Sequence, residues 1–409
     1  MGMIGVWLVG AQGSLASTVV VGARAIARGL ADGTGLVTEL PELRPLSLIG
    51  MDRLVFGGWD VSPRGLVERA QAMTMEDRAL PPGLVDLLRA DLETVESRVR
   101  PGVLEGSGPA TRGFANQTFM KRRETLAAAV ERLGDDLAAF RRQHDLETVI
   151  VVNLASTEPP ITLGRDHQRL ETFRRLIQDN RRAGVTPSML YAYAALERGF
   201  PYINFTPSLG ITPPALQELG VKHHVPFYGC DGKTGETLMK TVLAPLFRYR
   251  NLDVMSWEGF NILGGGDGRV LDDPRHKRSK VRSKGGVLGA ILGKSPHARV
   301  GIEYVPSLSN WKTAWDYIHF RGFLGTKMVA QFVWEGCDSI LAAPLVLDLV
   351  RLTEFALRKG EAGPMTHLAC FFKDPMGVAV HAFTEQVAML MDYAARHGKS
   401  SRPPGRRRR

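Results

Sequence analysis

The sequence GVWLVGAQGSLASTVVVGARAIARG, at Gly5–Gly29, decides the fold of the chain. Its apolar start ends at Gly10 and is typical of a buried strand, and the residues from Ser14 onward predict a helix that ends near Gly29. A strand, a glycine turn and a helix form the context of a dinucleotide site, because glycines let the backbone approach a pyrophosphate and the helix start offers free N–H groups. The turn reads G-x-x-G-x-x-A instead of the usual G-x-G-x-x-G, so it also fits a tight turn in any α/β protein.

The position at which the usual dinucleotide pattern has a ribose-binding carboxylate holds no acid in this sequence. The acid that normally ends the next strand, about 20 residues after the turn, is missing. Asp52 and Asp60 follow later, each near the end of a predicted strand. Either side chain could therefore accept a hydrogen bond from a ribose hydroxyl.

Strand-like and helix-like segments alternate through the first half of the chain. The predicted strands after the first are LSLIG (46–50), LVFGGWD (54–60), ETVIVVNLAS (147–156), PYINFTP (201–207) and HVPFYG (224–229). The predicted helices are Leu84–Val99, Phe119–His144, Gln168–Ile177 and Ser188–Arg198. This alternation predicts an α/β fold with a doubly wound parallel sheet.

The pattern changes after about Thr237, where strand-like segments follow one another with one basic helix among them. From Asp338 the chain returns to a long helix. We therefore expect a doubly wound domain at 1–237 with 341–396, a mixed α+β domain at 238–340, and a disordered basic tail at 397–409.

Composition narrows the class of protein. The 409 residues are 44% hydrophobic and 23% charged, which is ordinary for a globular protein of two domains. No apolar run of 18 residues appears, so no membrane span is expected. Three widely spaced cysteines fit reduced thiols in a cytoplasmic protein and give no zinc spacing, so no metal site is predicted. The adjacent His223 and His224 fall on a predicted strand, where they would face opposite sides and make poor joint ligands.

Much of the positive charge lies in two places. The net charge is +10, and the last residues of the chain carry six cations, whose removal leaves +4 for the rest. The other concentration is the segment from Arg275 to Lys284, with six cations and no anion in ten residues. A solvated helix face, a nucleic-acid patch and a pocket for an anionic substrate are the three explanations. The segment lacks the aromatic or glycine residues that nucleic-acid stacking favours, and helical spacing would put Lys280 and Lys284 on one face.

A second glycine-rich segment, GCDGKTGET at Gly229–Thr237, closes a strand and opens a helix. Its Gly-Lys-Thr resembles part of a P-loop, but Phe227 stands where that pattern needs a glycine, which argues against ATP hydrolysis. A helix start of this kind still favours an anion, because its N–H groups are free.

Four motifs in this order and spacing resemble the myo-inositol-1-phosphate synthase family. They are GCDGKTGET (229–237), NILGGGDGRVL (261–271), RSKVRSK (278–284) and CDSILAAPLVLDL (337–349). The resemblance implies a Rossmann-like domain interrupted by a catalytic and tetramerisation domain, with NAD as cofactor and a homotetramer as the assembly. It also implies that carbon 5 of glucose 6-phosphate is oxidised, an enolate at carbon 6 attacks the carbon 1 aldehyde, and the ketone is then reduced again.

The same resemblance implies roles for individual residues. The expected catalytic residues are Lys280, Lys284, Lys312, Lys373, Asp231, Asp267 and Asp338, with Lys280 as the acid/base at the oxidised hydroxyl. The expected cofactor residues are Gly10, Gln12, Gly13, Ser14, Leu15, Asp60, Ser156, Thr157, Asn204 and Asp231, with Asn153, Glu158 and Ser208 as weaker matches. The expected phosphate residues are Thr234, Gly235, Glu236, Thr237, Lys284 and Lys312.

Several positions depart from the family pattern. Glu236 replaces a glutamine, and a carboxylate beside a phosphate is unfavourable unless it points away. Gly265 and Gly266 replace two asparagines, Cys230 replaces an aspartate, and Gln12 and Ala16 replace glycines. These changes leave open a specialised relative that cyclises fructose 6-phosphate or another sugar phosphate. A non-catalytic nucleotide- or nucleic-acid-binding regulator is the alternative from another class.

Overall fold

The computed structural model describes residues 2–116, 124–265, 268 and 287–399, and contains two β-sheets. The strands, in chain order, are β1 (Met3–Val9), β2 (Leu54–Asp60), β3 (Val99–Pro101), β4 (Leu146–Asn153), β5 (Tyr202–Asn204), β6 (Pro226–Gly229), β7 (Asp253–Leu263), β8 (His297–Tyr304), β9 (Trp311–Arg321), β10 (Lys327–Cys337) and β11 (Gly363–Pro364).

The first sheet is parallel and has the order β11-β6-β5-β4-β1-β2-β3. Strand order reverses between β1 and β4, and in such sheets a ligand binds at the carboxyl ends of the strands beside this reversal. Val9 pairs with Asn153, Asn153 with Asn204, and Asn204 with Gly229, so four strand ends line up along one edge. This edge carries the candidate site described below.

Helices cover both faces of this sheet, as the doubly wound prediction requires. The helices, in chain order, are α1 (Ser14–Ala27), α2 (Leu66–Met75), α3 (Leu84–Leu87), α4 (Arg89–Glu96), α5 (Pro109–Phe114), α6 (Leu126–Gln143), α7 (Leu170–Gln178), α8 (Pro187–Glu197), α9 (Pro214–Lys222), α10 (Gly235–Tyr249), α11 (Asp338–Arg358) and α12 (Phe383–Lys399). One apolar core includes residues of α1, α11 and α12, and another includes residues of α6 to α9. Among the described residues no helix is long and apolar enough to cross a bilayer.

The second sheet is mixed and has the order β10-β9-β7-β8, in which only β7 and β8 run parallel. It lies between α10 and α11 in the chain, as the sequence predicted. One face is buried, where Trp257 and Ile318 pack with Ala244 and Phe247 of α10. The other face carries a row of exposed apolar side chains, since Phe260 pairs with Trp315 and Trp315 with Val333.

Some predicted elements are wrong. Residues 46–50 are not a strand, because the guanidinium of Arg351 takes the carbonyl of Ile49 in place of a neighbouring strand. The helix predicted at Leu84–Val99 is divided at Leu88, and Val99 begins β3.

His223 and His224 do not lie on a strand either. His223 follows the end of α9, and His224 has a φ of +52°, which belongs to a turn. Helices α2, α5, α9 and α12 were not among the predicted elements. Helix α12 continues to Lys399, past the predicted start of the tail, and the predicted basic helix falls outside the described residues.

Candidate active site

The glycine turn after β1 leaves the start of α1 open. Gly10 has a φ of +81°, and a Cβ there would lie 3.0 Å from the Cα of Ala155, so both its conformation and its close neighbour favour glycine. Gly13 caps α1 without any side-chain hydrogen bond. The N–H groups of Ser14 and Leu15 precede the first intrahelical bond, which runs from Ser17 to Gly13, and therefore suit a phosphate.

Asp60 lies at the carboxyl end of β2 and is bound to this turn. Its Oδ2 accepts a hydrogen bond of 2.7 Å from the backbone N–H of Gln12, and its Oδ1 accepts bonds of 2.7 Å from Val61 and Ser62. Burial raises the pKa of the Asp60 carboxyl, and these three N–H groups oppose that shift. Of the two candidate acids, Asp60 is therefore the one that lies beside the turn.

A network of amides and hydroxyls occupies the carboxyl ends of β4 and β5. The Nδ2 of Asn153 donates to Oδ1 of Asn204 at 3.2 Å and to Oγ1 of Thr206 at 3.3 Å. The Nδ2 of Asn204 donates to the carbonyl of Ser208 at 2.6 Å. These bonds fix the loops after both strands, although the Asn153 and Asn204 amides are then engaged with protein groups.

The loop after β4 leads to Ser156, Thr157 and Glu158, of which the last two are buried. The Glu158 carboxyl accepts hydrogen bonds from the backbone N–H of Ser188 at 2.7 Å and from its Oγ at 2.6 Å. Burial raises the pKa of Glu158 to about 7. Glu158 thus anchors the loop to the start of α8, and its protonation changes near neutral pH.

The described residues fit NAD. The Gly10 turn and the uncapped start of α1 suit the pyrophosphate, and Asp60 suits a ribose hydroxyl. Farther along the same edge, the buried Oδ2 of Asp231 has no hydrogen-bond partner among the described residues, which leaves one acceptor for a ligand.

Asp231 also holds Lys373, the predicted catalytic lysine nearest the end of the chain. The Nζ of Lys373 donates to Oδ1 of Asp231 at 2.8 Å, and both side chains are about nine-tenths buried. The backbone supports this pair, because Lys373 N donates to Asp231 O and Lys233 N donates to Phe371 O. Segments 230–233 and 371–374 therefore lie side by side and bring the two halves of the Rossmann-like domain together.

The predicted phosphate turn brings Lys312 and Asp338 together at the start of α10. Gly235 has a φ of +54°, and a Cβ there would lie 3.3 Å from Nζ of Lys312. Lys312 Nζ lies 3.6 Å from Oδ2 of Asp338, and Thr234 Oγ1 lies 3.4 Å from Oδ1 of the same residue. The N-cap Thr234 makes no side-chain cap bond, so the N–H groups of the first turn, up to Thr237, are open to an anion.

Glu236 does not present its carboxylate to this turn. The side chain is buried and forms an ion pair with Lys240, while Nδ2 of Asn261 donates to its Oε2 at 2.6 Å. The Glu236 side chain therefore faces β7. The expected repulsion between this carboxylate and a phosphate does not arise, and only the backbone N–H of Glu236 can serve an anion.

Three predicted catalytic residues, Lys280, Lys284 and Asp267, lie outside the described residues, as does Gly266. Gly265 is described, and a Cβ there would lie 2.7 Å from Oδ1 of Asn310. The Asn310 side chain thus occupies the space that the first atoms of a side chain at position 265 would need.

Sequence reasoning missed several buried polar residues around the site. Asn310 donates to the Asp77 carboxylate, and Trp311 Nε1 donates to the Asp77 carbonyl at 2.7 Å, which joins the two sheets' domains. Lys233 donates to Gln386 of α12. The apolar spacing of Phe383, Leu390 and Ala394 was a signal for α12, but nothing in the sequence indicates the partners.

Comparison with known proteins gives a family. The model described as myo-inositol-1-phosphate synthase, a group of NAD-binding proteins, matches residues 4–395. Inositol-3-phosphate synthase 1 of Bacteroides thetaiotaomicron is 36% identical over 405 residues, which cover 94% of this chain and 91% of the relative. The chain belongs to the myo-inositol-1-phosphate synthase family. The predicted family, the NAD-dependent cyclase class and the use of NAD are confirmed.

Solved structures agree with the fold. The structure of inositol-3-phosphate synthase from Caenorhabditis elegans is similar with a TM-score of 0.87 and 26% identity, covering 97% of this chain and 86% of that one. A myo-inositol-1-phosphate synthase-related protein from Thermotoga maritima gives a TM-score of 0.77 and 26% identity, covering 96% and 98%. The predicted Rossmann-like domain and separate mixed sheet are confirmed.

Proposed function

We propose that the chain converts glucose 6-phosphate to an inositol phosphate by NAD-dependent oxidation, enolisation, ring closure and re-reduction. The observation that carries this proposal is the buried Lys373–Asp231 pair, because Asp231 follows β6 in the same parallel sheet as β1 and shortly precedes the open start of α10 in the chain. A sugar phosphate bound by α10 would then meet a fixed ammonium group on the nicotinamide side.

Bound NAD would take a hydride from carbon 5 of the sugar and return it after ring closure. Gly10, Gly13, Ser14 and Leu15 would hold the pyrophosphate through backbone N–H groups, and Asp60 would hold a ribose. The loop from Asn153 to Glu158 and the free Oδ2 of Asp231 would hold the nicotinamide half. The cofactor must stay bound through one cycle, which these buried contacts favour.

The chain's own charged groups would stabilise oxygen atoms that become negative. Lys373, which Asp231 keeps in one position, would face the alkoxide, enolate or aldehyde oxygen. Preoriented cations in a dry site stabilise such charge more than water does. Thr234 to Thr237 would bind the phosphate through N–H groups, with Lys312 beside Gly235 and with Asp338 controlling the position of Lys312. Lys280, Lys284 and Asp267 keep the roles that the resemblance implies.

The test is a substrate panel. Purified chain with NAD and isotopically labelled glucose 6-phosphate should form a carbocyclic phosphate, detected by mass spectrometry, without net formation of NADH. Fructose 6-phosphate, mannose 6-phosphate and free glucose serve as comparisons. Turnover of fructose 6-phosphate alone would contradict the proposal and favour the specialised relative. Gly265 still supports that second candidate, whereas the buried pairing of Glu236 removes one reason for it.

We infer that the enzyme acts in the cytoplasm as a homotetramer. The three cysteines are buried and unbonded to each other, as in a reducing compartment. The exposed row of Phe260, Trp315 and Val333 supports assembly, since apolar patches on a sheet face commonly mark protein interfaces.

A further inference from the structure

Lys233, the residue immediately before the phosphate turn, has almost no contact with solvent. Its relative exposure is 3%, and its backbone N–H is bound to Phe371 O. Its Nζ donates to Oε1 of Gln386, which is itself fully buried and donates from Nε2 to Val380 O at 2.7 Å. The ring of Phe383 lies 5.7 Å from Nζ, close enough for a cation–π contact.

Lys233 differs from its neighbours because it has no acid partner in the part of the chain that the structure describes. Lys240 pairs with Glu236, Lys312 lies 3.6 Å from Asp338, and Lys373 lies 2.8 Å from Asp231. Within 2–116, 124–265, 268 and 287–399, no carboxylate oxygen lies within 4.0 Å of Nζ of Lys233. Each of the other three lysines therefore has a nearby carboxylate, and Lys233 does not have one among the described residues.

A buried cation without a counter-ion costs stability, and the amide of Gln386 and the ring of Phe383, which are both neutral, offset only part of that cost. Burial lowers the pKa of Lys233 to about 8, yet most molecules still carry the charge at pH 7. Three titratable groups face the Lys233 ammonium: Cys370 and Lys373, at or beside segment 371–374, and His381, on the loop before α12. None of these groups supplies a fixed negative charge at neutral pH. A charge kept at such cost commonly serves function.

We propose that Lys233 is a positioning charge for the substrate: an ammonium group that attracts the phosphate dianion at the Thr234–Thr237 turn without touching it. This inference rests on the proposed function for the choice of sugar phosphate. The surrounding protein has a low dielectric response, so solvent screens this attraction less than it screens a surface lysine. The bound phosphate would supply the negative charge that the Lys233 ammonium lacks among the described residues.

Gln386 offers an alternative reason for the burial of Lys233, because the hydrogen bond could simply anchor the turn to α12. Three variants separate charge from anchoring. Lys233→Met removes the charge and the bond, Gln386→Glu keeps the contact but neutralises the charge, and Gln386→Met removes the bond but keeps the charge. Tyr393→Phe is a matched control on α12, since it removes the contact of the Tyr393 hydroxyl with Glu361, away from the turn.

The readouts are KM and kcat for glucose 6-phosphate and the rise in Tm produced by inorganic phosphate. Lys233→Met and Gln386→Glu should each raise KM about tenfold with little change in kcat, equivalent to roughly 1.4 kcal/mol. Both should also lose most of the phosphate-induced rise in Tm. Gln386→Met should retain most phosphate affinity, and Tyr393→Phe should match the wild type. The Tm of Lys233→Met without phosphate should be unchanged or higher, which a purely structural lysine would not give.

Two results would overturn the inference. One is weakening by Gln386→Met but not by Gln386→Glu, which indicates anchoring; the other is normal phosphate affinity in Lys233→Met. If Lys233→Met does not fold, the two Gln386 variants still decide. If the wild type binds phosphate in a Lys233-dependent way but cyclises no glucose 6-phosphate, the proposed function fails and the inference stands.

Discussion

Each buried ionisable residue at this site is held by a different set of partners, and this gives predictions for single residues. Lys373 has a carboxylate partner, whereas the Glu158 carboxyl is held by neutral groups, namely the N–H and hydroxyl of Ser188 and the side chain of Thr186. The first pair keeps a charge in place. The neutral partners of Glu158 let its carboxyl take up a proton near neutral pH.

Replacement of Lys373 by methionine should lower kcat by about 100-fold or more, the usual effect of removing one preoriented electrostatic group. Asp231→Asn should also lower kcat, because Lys373 loses the acceptor that orients it. Initial rates of labelled inositol phosphate formation provide the measurement. Lys294→Met, which removes an exposed pair with Asp253 on the second sheet, is the control and should retain activity. Equal activity in Lys373→Met and the wild type would exclude Lys373 from the mechanism.

Glu158 should make stability depend on pH. Its pKa is raised from 4.5 to about 7 on folding, so the folded protein binds this proton more tightly than the unfolded chain does. The stabilising contribution is complete below pH 4.5 and is lost as the pH rises through 7, by up to about 3.5 kcal/mol at about 1.4 kcal/mol per pKa unit.

Glu158→Gln tests this prediction, because the amide keeps the shape of the acid but does not titrate. From pH 5 to pH 8 the wild type should lose unfolding free energy relative to Glu158→Gln, so the value for the variant minus the value for the wild type should rise. Denaturant titration at each pH measures both values. The comparison removes the contribution of Asp348, whose pKa burial raises to about 6. A difference that stays constant with pH would show that Glu158 is ionised throughout.

At the scale of elements, the ends of helices decide where anions can bind. Helices α1 and α10 both begin after glycine-containing turns and both lack side-chain caps. In α10 the left-handed Gly235 also brings the backbone close to Lys312. The turn therefore does two tasks, since it starts the helix and makes room for an ammonium group.

Gly235→Ala should raise KM for the sugar phosphate by about tenfold, because the added Cβ displaces Lys312 and strains the backbone. The matched control is Gly360→Ala, at a φ of +72° with no atom within 4 Å of the added Cβ. Both variants should lose about 1 kcal/mol of unfolding free energy, but only Gly235→Ala should change KM. If the two variants have the same KM, crowding at Lys312 has no role in phosphate binding.

At the scale of the whole molecule, one face of the second sheet is not covered by any other described part of the chain. The row Phe260–Trp315–Val333 crosses this face, and the β9–β10 hairpin ends in Phe323 and Leu324, with exposures of 87% and 86%. These surfaces are costly to leave in water. We therefore propose these surfaces as the interfaces of the inferred tetramer.

The double change Phe260→Lys with Val333→Lys should convert the assembly to smaller species, because it places charges within the apolar row. Light scattering after size exclusion gives the mass, and circular dichroism confirms that the variant is folded. Met75→Lys, at an exposed apolar position on α2 of the other domain, is the control and should not change the mass. A monomeric wild type, or an unchanged mass in the double variant, would contradict the inferred interface.

The sequence was sufficient for most of the architecture, because apolar periodicity and glycine turns are local signals. It failed at 46–50, where a distant arginine takes a backbone carbonyl, and at Leu88, where the helix divides. The motifs also predicted a set of site residues, and that set stays a prediction. They could not show that Glu236 faces away from the phosphate or that Lys233 meets Gln386, since those contacts join residues that tertiary packing brings together.

The pairing of segments 230–233 and 371–374 has a consequence for synthesis of the protein. The whole second sheet lies between them in the chain, so the Asp231–Lys373 contact spans 142 positions. A ribosome must therefore deliver residue 373 before Lys373 can reach Asp231. Partly made chains would contain the glycine turn after β1 but would lack this buried ion pair, and contacts this distant in sequence are slow to form.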